Sequence, residues 1–245
     1  MRATGFLASV AFGWLLAAFP ACATGDGEAA KVPPRIHAIP QALLTDGFLA
    51  AHPDMDYRMR GVALDRRDDP AAAAKEYRRA ASYGDKPAQG MLGEMYWKGE
   101  GVAPDRAVGY AWMDIAAERG YPVLIAKREQ YWAALDDAER ARAVELGRPM
   151  YDEFGDPAAK PRLERLLKRE RRNLTGSRVG SVGNLTIMIP TPGGMRQIRG
   201  STFYQDKFWK PEQYWHWQDY DWKKPPEGDV SVGEVLTDAD EPASD

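Results

Sequence analysis

The sequence predicts a mainly α-helical protein: a short α-solenoid of paired helices with C-terminal capping helices, then a small β-hairpin and an aromatic-rich extension. Three observations lead there. Between Ala88 and Gly120, two segments of helical apolar period flank a glycine-containing loop. One period upstream, Ala73, Ala80, Ala81 and Gly84 repeat the positions of Gly109, Ala116, Ala117 and Gly120 at an interval of thirty-six residues. Beyond residue 174 the period changes to two, with Leu185, Ile187 and Ile189 alternating against Thr186 and Met188.

The first 23 residues read as a secretory signal peptide. Arg2 supplies the charge, Phe6 to Phe19 the fourteen-residue apolar stretch, and Ala21-Cys22-Ala23 the small residues of a processing site. The stretch is short for a membrane span, and Pro20 follows at once. Two processing routes fit. Cleavage after Ala23 discards the only cysteine, whereas lipoprotein processing makes Cys22 the acylated first residue. Either route excludes an intramolecular disulfide and a thiol nucleophile. Residues 24–41 have no apolar period and read as a flexible linker.

Residues 42–173 form the helical part. A short helix near 42–51 leads to a first repeat helix over 53–67, and Asp69-Pro70 then opens the next, an N-cap followed by proline at the first helical position. In the second unit Leu92 and Tyr96 share a face, and Gly93 leaves a hole for a neighbouring helix. Gly99 and Gly101 permit a sharp reversal, Val102 plugs the loop onto the core, and Asp105 caps the following helix. Trp112 with Ala116 and Ala117 gives one bulky and two small positions for interdigitation, and Gly120 stops the helix.

These residues, Ala88, Leu92, Gly93, Tyr96, Gly99, Gly101, Val102, Asp105, Trp112, Ala116, Ala117 and Gly120, resemble the Sel-one-like repeat, a relative of the tetratricopeptide repeat. Gly109 departs from the usual alanine and is expected to loosen the packing slightly. The upstream unit, with Gly61, Leu64, Ala73, Tyr77 and Ala80, looks like a plain tetratricopeptide repeat lacking the four-residue insertion. With its neighbour, the resemblance covers about a third of the mature chain. It implies a protein-binding scaffold without catalysis.

About two repeats cannot bury their own apolar faces, so further helices must cap them. Tyr131, Trp132 and Leu135 mark one helix over 121–135, and Asp136 to Glu139 is a capping-box start for another reaching Glu153. Asp156-Pro157 opens a third, ending near Asn173, with Leu163, Leu166 and Leu167 inward. Its basic run from Lys160 to Arg172 reads as a solvated face, since Glu164 and Glu170 are interleaved. Residues 174–226 hold the hairpin, with a turn at Thr191 to Gly194 and a return strand over Met195 to Arg199, and then nine aromatics between Phe203 and Trp222. Residues 227–245, with seven acidic and no basic side chains, read as a disordered tail.

Two functions follow. The first is an exported scaffold in the periplasm or cell envelope that binds a protein partner. The second is a carbohydrate or peptidoglycan binder using Trp209, Trp215, Trp217 and Trp222, which requires at least two open rings. Otherwise the aromatic segment packs back into the solenoid groove. No cofactor, metal site or catalytic residue is expected. His37, His52 and His216 are not spaced with other ligands, and a hydrolytic cleft would have to combine His216 with Asp219 or Asp221. The net charge of −3 gives no global reason to expect nucleic acid, and membrane contact is expected only through a lipid on Cys22.

Overall fold

Helices dominate the computed structural model, which describes residues 39, 43–172, 185–191 and 194–223. The signal peptide, Cys22, His37 and the acidic tail lie outside the described residues. Helix α1 (Asp46–Ala51) is shorter than expected and starts where the Thr45 hydroxyl accepts from the Phe48 N–H at 3.2 Å. Two helix pairs follow, α2 (Pro53–Asp65) with α3 (Pro70–Ala81), and α4 (Lys86–Lys98) with α5 (Arg106–Ala117). Because α3 also packs on α4, the pairs lie side by side as a short solenoid. Aspartates set three of the starts. The carboxylates of Asp69, Asp85 and Asp105 accept from Ala72, Ala88 and Val108 N–H groups at 3.1, 2.8 and 3.1 Å.

The residues of the repeat motif sit where their types require. Leu92, Trp112, Ala116 and Ala117 are buried, while Tyr96 and Val102 pack against the same core from its margin. Trp112 meets Phe154 at 4.7 Å between ring centroids. At the crossing of α4 and α5, a Cβ on Gly93 would lie 3.0 Å from the Gly109 carbonyl oxygen, and one on Gly109 would lie 3.0 Å from the Gly93 oxygen. The expectation that Gly109 loosens this pair is therefore corrected. Two facing glycines let the backbones touch, so α5 has closed onto α4 instead of leaving a gap.

Helices α6 (Pro122–Ala134) and α7 (Asp137–Phe154) both pack on α5. The capping box is complete, with Glu139 N–H to Asp136 at 2.8 Å and Asp136 N–H to Glu139 at 2.9 Å. Helix α8 (Asp156–Arg172) buries Leu163 and Leu167, whereas Leu166 stays at the margin. Strands β1 (Thr186–Thr191) and β2 (Gly194–Arg199) pair antiparallel with Ile187 opposite Ile198. The aromatic segment, for which the sequence reading gave no secondary structure, is helical as α9 (Gly200–Phe203), α10 (Asp206–Trp209) and α11 (Pro211–Lys223).

Two main apolar cores result. One lies within the repeats, from Val62 through Tyr77, Leu92 and Trp112 to Leu124 and Phe154. The other joins the two ends of the folded region: Phe48 of α1 meets Phe203, Phe208 and Trp209 edge-on, and Leu163, Leu167, Ile189 and Ile198 close around them. Ile39, placed within the expected linker, is buried in this second core.

Candidate functional site

The charged side chains converge along one edge of the helix stack, where α2, α4, α6 and α8 begin. Acidic residues stand at these starts, where the unpaired N–H groups and helix dipoles favour negative charge: Asp54 in α2, Asp85 before α4 and Asp156 in α8. Asp85 and Asp156 are each answered by a basic side chain that is itself enclosed. Arg58 Nε lies 3.5 Å from Asp85, and Arg119 grips Asp156 through Nε and Nη2, both at 2.8 Å at closest. Lys86, fully buried, donates to Gln89, the Ile115 carbonyl and Glu118 at 3.1, 2.9 and 2.7 Å, and lies 3.1 Å from Asp156.

Burial and pairing pull these groups in different directions. Burial, despite Arg58, pushes the Asp85 carboxyl up to about 6, and Asp54 adds to the rise. Burial also lowers Lys86, with Arg119 acting the same way. At Asp156 burial works upward, but the Arg119 guanidinium and Lys86 hold the carboxyl well below the usual range. The Glu118 carboxylate ties the edge together, accepting from Lys86, the Tyr151 hydroxyl and the Asp156 N–H.

Helix α11 lies across this edge. Its Tyr214 hydroxyl and Gln218 amide both donate to Asp54, and Tyr121 donates to Asp219 at 2.8 Å while stacking on Trp222 at 5.8 Å. Trp215 donates to Glu164 at 3.1 Å and takes Arg119 over its ring at 4.5 Å. The packing expected in the solenoid groove is thus realised at the row of helix starts, because the partners of α11 include the first-turn residue Asp54 and the N-cap residue Tyr121. Among the four candidate ligand tryptophans, Trp209, Trp215 and Trp222 are buried and Trp217 is half-buried. The two open rings that a glycan platform requires are not there. A sequence signal for α11 existed: Pro211 at the first helical position, and Tyr214, Trp215, Gln218 and Trp222 at helical spacing.

His52 is fully enclosed at the joint of α1 and α2. Its Nδ1 lies 2.7 Å from the Phe48 carbonyl oxygen and its Nε2 lies 2.8 Å from that of Phe208, so the ring ties α1 to α10. Burial lowers its pKa against the opposing pull of Asp54 and the two carbonyls. His216 is exposed on α11, and Asp219 accepts from Tyr121. Among the described residues no group of three or more His, Cys, Asp or Glu is placed to hold a metal ion, and no helix is long and apolar enough to cross a membrane.

An open feature lies between α5 and α7. A groove of about 520 Å³ is lined by Tyr110, Trp132, Val144, Gly147 and Tyr151, with Asp114 and Arg148 at its rim. Val144 is 65% and Tyr151 41% exposed, the former among the most open large apolar side chains described.

The chain is similar to the crystal structure of a protective antigen present in uropathogenic Escherichia coli strains and displaying an SLR fold. The match is 24% identical, has a TM-score of 0.41, and covers 56% of this chain and 28% of that one. The chain therefore spans under a third of that protein's length. No family model matches the chain, and no curated protein matches it.

Proposed function

We propose that this protein is an exported helical-repeat scaffold of the cell envelope that holds a protein partner and performs no chemistry of its own. One observation carries the reading: the apolar surface left open by the repeats is concentrated in the groove between α5 and α7, around Val144 and Tyr151. Exposed aromatic and aliphatic side chains rimmed by charge are the usual anchors of a protein interface. The convergent ionisable groups at the helix starts support the absence of catalysis, because Lys86, Glu118, Arg119 and Asp156 are tied to one another in fixed pairs. The signal-like first 23 residues support export.

A photo-reactive phenylalanine analogue at Val144, compared with one at exposed Lys75 on α3, tests the reading in intact cells. A discrete adduct from position 144 that Gly147→Arg abolishes supports it. No adduct, or the same adduct from position 75, overturns it. Sequencing the mature N-terminus from the envelope fraction tests export and separates cleavage after Ala23 from a blocked, acylated Cys22.

A further inference from the structure

The basic run of α8 is segregated in space in a way its sequence conceals. At about 100° per residue, Arg162, Arg165, Lys168, Arg169 and Arg172 fall on the side opposite buried Leu163 and Leu167, and Glu164 and Glu170 fall outside that arc. With Ser82, Tyr83 and Leu166 these five cations line a groove of about 730 Å³, and no carboxylate is among the lining residues. Arg162 is fixed by the Ser82 and Glu153 carbonyls at 3.0 and 2.6 Å. Lys168 and Arg169 reach sideways to Glu164 and Glu170 at 3.5 and 2.8 Å. Arg165 and Arg172 have no ion pair among the described residues.

The complementary charge is on the same chain. The first 226 residues hold 33 basic and 29 acidic side chains, and the last 19 hold seven acidic and none basic. We propose that the acidic segment 227–245, which lies outside the described residues, docks along this groove of α8 and shields it from other polyanions. From Arg162 to Arg172 the cations extend over roughly 15 Å of helix, about five residues of extended chain at roughly 3.3 Å each. The tether is adequate. Helix α11 already rests on α8 through Trp215 and Glu164, and a link of some fifteen residues can span about 20 Å. Tethering of this kind supplies an effective concentration in the millimolar range.

The test uses the full chain. Zero-length carbodiimide coupling, mapped by mass spectrometry, is expected to join Lys168 to a carboxylate of 227–245 within one molecule, several-fold more than it joins Lys75. The yield should fall several-fold near about 0.5 M salt, and likewise in Arg165→Glu/Arg172→Glu, whose two sites are exposed and leave the core intact. In a full-length variant with the seven tail carboxylates changed to amides, a labelled synthetic 227–245 peptide should bind at least about tenfold more tightly than to the parent. Equal coupling at Lys168 and Lys75, coupling unaffected by charge reversal, or equal peptide affinity for the two chains overturns the proposal. So does an amide variant that gains binding to phosphatidylglycerol vesicles but not to the peptide, which would assign the groove to lipid headgroups.

Discussion

Gly101→Ala is predicted to be among the most damaging methyl additions in the protein, and Gly120→Ala isolates the reason. Both glycines have positive φ, +72° and +76°. Alanine at either position pays about 1–2 kcal/mol for a left-handed backbone, offset by roughly 0.4–1 kcal/mol from a stiffer unfolded chain. Around Gly120 a new Cβ would meet nothing within 4 Å, so that variant should lose about 1 kcal/mol. At Gly101 the Cβ would lie 2.5 Å from the Pro70 oxygen and 2.6 Å from the Ala71 nitrogen, where the inter-helix loop of the second repeat rests on the first turn of α3. These are backbone atoms, so no rotamer change relieves the overlap. Lifting the loop should add about 2 kcal/mol, within the usual cost of overpacking. Urea unfolding should therefore show a loss near 3 kcal/mol for Gly101→Ala, with a fall in Tm of roughly 6–12 °C against about 2–4 °C for Gly120→Ala. Losses equal to within about 0.5 kcal/mol would mean that the loop is not seated on α3.

Further outcomes follow from the same packing and charge geometry. Gly61→Ala should destabilise by about 1–3 kcal/mol because its Cβ would sit 2.6 Å from the enclosed Tyr77 ring, and here Tyr77→Leu should restore part of the loss in a double-mutant cycle; additivity would refute the contact. Gly109→Ala should lose about 1 kcal/mol despite a comparable gain in helix propensity, and a stabilised protein would disprove the close approach of α4 and α5. Lys86→Met should cost about 3–5 kcal/mol in urea unfolding because Glu118 and Asp156 lose an enclosed partner, and a change below about 1 kcal/mol would contradict the network. Asp85 titrates near 6 in the folded state against an ordinary 3.8, so its contribution is fully present below 3.8 and is lost as pH rises through 6. The stability difference between the parent and Asp85→Asn should thus fall by up to about 3 kcal/mol from pH 4 to 7, whereas a difference that is flat or rises with pH would show the group is not enclosed.

The paired helices, the Asp69 and Asp105 caps and the capping box were legible from sequence because the signals are local: a cap, a proline at the first helical position, and apolar residues at helical spacing. The hairpin was legible for the same reason, its alternation of Ile187 and Ile189 with Thr186 and Met188 needing no distant partner to be recognised. What the aromatic segment does was not legible. Its rings could equally have faced solvent, and only the buried surface offered by Phe48, Leu163 and Tyr121 decides that they turn inward. The effect of Gly109 was misjudged because a missing methyl can open a gap or remove one, and the choice depends on the glycine facing it. The segregation of charge on α8 is hidden in the linear sequence because adjacency along the chain does not preserve adjacency around a helix. For this protein the sequence alone determined the paired helices of the repeats and the helices that follow them through α8, since capping and periodicity act within a few residues. Tertiary structure alone decided which faces meet, which charges are enclosed and which surfaces stay open, since those depend on contacts between residues up to 164 positions apart, as from Asp54 to Gln218.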